Sequence, residues 1–228
     1  MRPLASGVLR AATPVVAESL LGTLLVHDSP AGRTVGRIVE TEAYLADGDG
    51  ASHSARGPTP RCASMFLEPG HAYVYLIYGV HLCFNVVTGP VGSGEAVLIR
   101  ALEPLEGLDL MQQRRGAVAL RDLTNGPGKC AQAMGLERGH DGLDLGGGSL
   151  RLAARAPGWS PGRVVTTGRV GISKSVDLAL RFYLEGSTWV SRRDAVRESG
   201  SARCCTRASH WDRSSGGSRR GRIRGCPG

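Results

Sequence analysis

The segment HAYVYLIYGVHLCFNVV (residues 71–87) constrains the fold more than any other part of the chain. It is rich in Val, Ile, Tyr and Phe and breaks once, at Tyr78-Gly79. β-branched and aromatic side chains suit a pleated surface, and a glycine between two such runs marks a turn. The segment therefore predicts a β-hairpin with its tip at Tyr78-Gly79. Successive strand side chains alternate faces, so Tyr73, Tyr75 and Ile77 share one face, and Val74, Leu76 and Tyr78 the other. A bulky aromatic at an exposed tip gains little from burial. Either this tyrosine folds back onto the sheet, or it is a wedge for a DNA groove, filling the space of a displaced base.

The remaining elements fit the same picture. TLLVHD reads as a strand, and VGRIVETEAYL (35–45) as a second. EAVLIRAL (95–102) reads as another, and later strands are expected at VVTTGRVGI and LRFYLEG. Thr13-Pro14 has the form of a helix cap followed by a first-turn proline, giving a short helix that ends at Gly22. EPLEGLDLMQQRR (103–115) is predicted helical with Pro104 in its first turn. NGPGKCAQAMG (125–135) is a short helix with Pro127 near its start and Gly135 past its end. Residues 46–64 read as a long loop. Hairpins outnumber strand–helix–strand units, which favours an α+β fold: one domain with a mostly antiparallel sheet, surrounding helices and a protruding hairpin.

Charge says less than it first suggests. The formal net charge is +8. Residues 199–228 contribute seven arginines against one aspartate, while residues 1–198 carry 21 basic and 19 acidic residues. The body is close to neutral, so global charge is weak evidence for what it binds. The division also sets the expected organisation: one folded domain over 1–198, which the resemblance below makes catalytic, and a disordered Ser/Gly/Arg-rich tail over 199–228. Cys62, Cys83 and Cys130 are far apart and no CxxC pair occurs, which points to reduced thiols and no zinc site. No run of about 18 apolar residues occurs and MRPLASGVLRAATP has no apolar core long enough for a secretory signal, so a cytoplasmic protein with no membrane contact is expected, nucleoid-associated if the resemblance below holds.

VETEAYLADGDGASHS (39–54) carries the candidate chemistry. In a strand, Ile38, Glu40, Glu42 and Tyr44 point the same way. A carboxylate beside an aromatic ring suits a pocket for a flat base: the base stacks on Tyr44 and Glu42 activates a water. His53 can close the site from the loop and offer one nitrogen to a ring edge. Taken singly, Glu42 also reads as an exposed strand residue or salt-bridge partner, and His53 as a loop hydrogen-bonder.

VETEAYL, the later His53, GPTPR, MF, GHAYVYLIYG, FNVV, VLIRALEPLEGL and NGPGK, in this order, resemble the alkyladenine (3-methyladenine, methylpurine) DNA glycosylase family from about residue 14 to about residue 193. The resemblance implies a single-domain, metal-free, monofunctional enzyme without a cofactor. It would act as a monomer on double-stranded DNA containing damaged purines. By matching positions, Glu42 corresponds to the general base and Arg100 to the arginine that helps hold the nucleophilic water. Tyr44, His53, Tyr75 and Asn85 correspond to the base pocket, with Asn85 crowding the amino group of normal guanine. Tyr78 corresponds to the intercalating tyrosine. Arg61 in GPTPR, with Gly126, Gly128 and Lys129 in NGPGK, is expected at the DNA backbone, where helix-start N–H groups suit a phosphate. The competing readings are a lesion-binding module without turnover and a small-molecule nucleoside hydrolase.

Overall fold

The computed structural model describes residues 1–191, which lie within one compact unit, Met1–Arg193. The expected boundary at 198 and the tail over 199–228 fall outside the described residues. The fold is α+β, with a curled antiparallel sheet of eight strands: β1 (Leu24–Ser29), β2 (Gly32–Tyr44), β3 (Ala72–Ile77), β4 (His81–Thr88), β5 (Glu95–Glu106), β6 (Leu150–Ala153), β7 (Val164–Thr167) and β8 (Arg181–Leu184). Among the described residues three α-helices accompany it: α1 (Thr13–Ser19), α2 (Leu108–Arg115) and α3 (Pro127–Met134). No described helix is long and apolar enough to cross a membrane.

β2 is the central strand. One edge pairs with β5 along its length; the other pairs first with β1 and then, through Glu40 to Glu42, with β8. β3 and β4 form the expected hairpin, paired from Ala72–Val86 to Ile77–His81, and join the sheet through β5. Ile38, Val39, Ile99, Leu102, Phe84 and Met134 belong to the main apolar core, with α1 and α3 packed on it.

Several sequence expectations change in detail. Thr13 does not cap α1; it is the first residue inside it, and its hydroxyl turns inward to Glu95 Oε2 (2.5 Å) and Thr88 Oγ1 (2.9 Å). α1 ends at Ser19, short of Gly22, whose amide instead bonds the Ile38 carbonyl at 2.7 Å. Gly22 has φ +83°, and a Cβ there would lie 1.8 Å from the Trp159 ring, so only glycine fits. Residues 103–106 are not helical. They extend β5, with Pro104 opposite Gly36 at a register shift. Proline has no N–H for a regular ladder and is tolerated at such an irregularity. The helix begins only after Gly107, which adopts φ 75°. β6 has no counterpart in the sequence reading.

Two offset irregularities lie where β2 meets β5. The pairing runs Ile38–Leu102, Glu40–Ala101, Thr41–Ile99, so Val39 and Arg100 are each skipped. Bulges of this kind bend a strand and re-aim side chains. Here they part Ile38, which stays in the apolar core, from the acidic pair that follows, and they set Arg100 opposite both carboxyl groups.

Candidate active site

Glu40 and Glu42 are both fully buried. Carboxyl groups inside a fold need donors or cations, and the sheet supplies them. Arg100 Nε meets Glu40 Oε1 at 3.1 Å while its Nη1 meets Glu42 Oε2 at 3.1 Å, so one guanidinium spans the pair. Arg181 Nε reaches Glu40 Oε1 at 2.7 Å from β8. Ser191 adds its amide (2.6 Å) and hydroxyl (2.8 Å) to Glu40. Burial opposes the Arg100 charge, but Glu42 and Glu40 outweigh it and raise its pKa. Glu42 accepts two more bonds, from the Tyr44 hydroxyl (3.0 Å) and the Val170 amide (2.7 Å).

A cavity of about 200 Å³ is walled by Tyr44, His53, Tyr75, Asn85, Arg100 and Val170 among others, so three of the residues that bond Glu42 line it. Its volume is below the roughly 300–1,000 Å³ of pockets for drug-sized ligands and suits one small ring system. Tyr73 and Tyr75 stack with centroids 5.2 Å apart, and His53 meets Tyr75 edge-on at 4.6 Å. His53 Nδ1 lies 2.8 Å from the Tyr73 hydroxyl. His53 is exposed to solvent over part of its surface, and desolvation of the remainder, then the nearby Arg61 charge, lowers its pKa, so the ring is neutral at pH 7. Burial raises the pKa of Tyr44, Tyr73 and Tyr75, keeping all three phenols protonated. Asn85 is buried and donates from Nδ2 to the Tyr73 carbonyl at 3.0 Å.

The hairpin forms one wall of this cavity, through Tyr75, Ile77, Cys83 and Asn85. Its tip projects: Tyr78 is 85% exposed and adopts φ 53°, left-handed backbone that a non-glycine residue enters only with strain. Tyr78 therefore does not fold back onto the sheet. Arg61 lies along the hairpin, with Nη2 3.3 Å from the Leu76 carbonyl and its guanidinium 5.9 Å from the Tyr75 ring centre. Pro127, at the start of α3, also lines the cavity. Gly126 precedes that helix, and a Cβ on Gly128 would lie 3.1 Å from His81, so the helix start abuts the hairpin. Lys129 is partly tied down, its Nζ 2.7 Å from Asn125 Oδ1.

The structure thus gathers five of the sequence candidates on one cavity; Glu42 is not itself a lining residue but bonds three residues that are, and Tyr78 follows the lining residue Ile77. Arg61, Gly126, Gly128 and Lys129 fall around the rim and flanks of the cavity rather than inside it. Sequence reasoning missed Tyr73 as a wall residue, although its alternation with Tyr75 signalled it. It also missed the Val170 amide, Arg181, and a buried pair, Asp49–Arg169. No run of neighbouring residues encodes those contacts, which join positions more than a hundred residues apart. Among the described residues no group of three or more His, Cys, Asp or Glu is placed to hold a metal ion. Cys62, Cys83 and Cys130 are buried free thiols, with Cys130 pushed up to about 12 by burial.

Residues 8–188 match the family model described as methylpurine-DNA glycosylase (MPG). A protein of Methanoculleus marisnigri named "Putative 3-methyladenine DNA glycosylase" is 56% identical over 183 residues, covering 79% of this chain and 94% of its own. Proteins bearing the same name in Mesorhizobium japonicum and Chlorobaculum tepidum are 48% and 46% identical. They cover 86% and 84% of this chain, and 93% and 92% of their own lengths.

Proposed function

Since the chain belongs to the methylpurine-DNA glycosylase family, whose members are DNA-repair hydrolases of alkylated purines, we propose that it excises damaged purines by a Glu42-activated water and leaves an abasic site. The observation that carries this reading is the position of Glu42. It is a fully buried carboxyl group bonded by Tyr44, Arg100 and the Val170 amide, three residues that line a cavity with aromatic walls.

The proposed sequence of events follows from that arrangement. The protein binds duplex DNA through its phosphates, using Arg61, Lys129 and the backbone at Gly126 and Gly128. Tyr78 enters the minor groove and fills the gap as the damaged nucleotide rotates out. Extrusion costs a few kcal/mol, least for a damaged or mispaired base. The purine enters the cavity and stacks on Tyr44 and Tyr75. A cationic N3- or N7-alkylpurine gains about 0.5–2 kcal/mol more from these electron-rich faces. Neutral His53 offers hydrogen bonding to the base edge, and Asn85 crowds the exocyclic amino group of a normal guanine.

Departure of the purine leaves oxocarbenium-like charge on the sugar, as in other glycoside hydrolysis. In this reading the charge of Glu42 stabilises that cation. The carboxylate takes a proton from the attacking water, while Arg100 helps to orient the water. The water oxygen bonds C1′ as the glycosidic electron pair leaves with the purine. No lysine is among the residues that wall the cavity, so no Schiff base is proposed and the strand stays intact.

The test is incubation with duplexes carrying 7-methylguanine, hypoxanthine or ethenoadenine, followed by alkali. Alkali-dependent cleavage at the lesion is the expected result. A gel shift without cleavage would mark a lesion-binding module, and neither signal would point to a small-molecule enzyme.

A further inference from the structure

Asp49 and Arg169 have no part in the chemistry above, yet their contacts join three of the segments around it. Arg169 Nη1 and Nη2 each lie 2.6 Å from an Asp49 oxygen, and both side chains are fully buried. Arg169 Nη1 also donates to the Ala43 carbonyl at 3.0 Å, and its guanidinium lies 4.6 Å from the Tyr44 ring centre. Asp49 accepts from the amides of Leu45 and Ala51, both at 3.1 Å. The residue after Arg169 is Val170, whose amide bonds Glu42 at 2.7 Å. One ion pair therefore joins the end of β2, the loop that brings His53, and the 168–172 segment that forms another wall of the cavity.

Stability alone explains this pair poorly. A buried ion pair seldom outperforms well-packed apolar residues. Among the described residues Arg169 Nε is also buried without a hydrogen-bond partner, which lowers what the pair adds to stability. Its geometry, by contrast, is specific. Only a flat fork can grip both Asp49 oxygens, bond Ala43 and lie against the Tyr44 ring together. Burial pushes the Asp49 carboxyl up, but the Arg169 bonds and the Leu45 amide hold it below its ordinary range, so the pair persists through neutral pH.

We propose that Asp49 and Arg169 are positioning residues, which rests on the reading of Glu42 given above: they preset the Tyr44 face, the His53 loop and the Val170 amide on Glu42 before DNA arrives. Holding reacting groups in register is worth a great deal, and a misplacement near 1 Å can cost about 100-fold.

The test is single-turnover excision with enzyme in excess over a hypoxanthine duplex, because the rate constant then does not depend on the fraction of active protein. Two variants are needed. Arg169→Lys keeps the charge but loses the fork. The double variant Asp49→Asn/Arg169→Met removes both charges and so buries no lone ion. The expected result is a rate constant reduced by about 10- to 100-fold in folded protein, with binding to an abasic-analogue duplex kept within about threefold. Wild-type rate constants with only lowered melting temperature or amplitude would overturn the proposal, as would failure of both variants to fold. A wild-type protein that makes no abasic sites would instead overturn the Glu42 reading itself.

Discussion

Replacing Tyr78 by glycine should separate folding from DNA binding, because the two effects have opposite sign. In the free protein the ring is 85% exposed, so its removal forfeits almost no packing. Its backbone lies at φ 53°, where an L-residue costs about 1–2 kcal/mol. Glycine relieves that cost and gives back roughly 0.5–1 kcal/mol through the greater freedom of the unfolded chain. The net effect on stability is therefore between about zero and 1.5 kcal/mol in favour of the variant. On DNA the effect has the other sign. Stacking of an aromatic side chain against bases is worth about 1–3 kcal/mol, and each 1.4 kcal/mol is about tenfold in affinity. Tyr78→Gly should thus bind an abasic-analogue duplex about 5- to 150-fold more weakly at fixed salt, read by fluorescence anisotropy beside a thermal melt. Affinity within twofold of wild type would remove the wedge. A loss of more than about 1 kcal/mol in stability would show that the tip packs on something, contrary to its exposure.

Two other perturbations probe the site's interior. Glu40→Ala strips the acceptor from Arg100, Arg181 and both Ser191 donors. Leaving buried charges uncompensated costs about 3–5 kcal/mol, so the melting temperature should fall by roughly 6–20 °C, and a drop below 2 °C would contradict the burial. The His53 pKa in the fold lies below the free imidazole value of about 6.5. The unfolded chain therefore takes up the proton first, and this contribution to stability is complete above about pH 6.5 and lost as pH falls toward the folded value. Urea unfolding should show wild type losing more stability than His53→Gln between pH 7.5 and 5.5. Equal losses would mean that water reaching the exposed side of the ring cancels the shift.

The fold was legible where side-chain period and turn residues act locally. Alternation about Tyr78-Gly79 specified the β3–β4 hairpin, and NGPGK with Gly135 specified α3 to within a residue or two. The errors came where tertiary pairing overrode a local signal. Pro104 resembles a helix start, yet β2 extends far enough to keep residues 103–106 in the sheet. Thr13 resembles a cap, yet Glu95 and Thr88 compete for its hydroxyl. The site divides the same way. Glu42 and Tyr44 share a face because strands alternate, and that much is readable. The skipped residue at Arg100, the Arg169 fork behind Tyr44 and the Val170 amide on Glu42 depend on register and on segments far apart in the chain, and no local pattern announces them.

The central claim is that Glu42 drives excision without being needed to recognise the lesion. The direct measurement compares Glu42→Gln with wild type on one hypoxanthine duplex, reading single-turnover excision and equilibrium binding together. A general base contributes about 10²- to 10⁴-fold, so excision should fall by at least 100-fold while affinity stays within about threefold. Excision within tenfold of wild type, in a variant that still binds the duplex, would contradict the account.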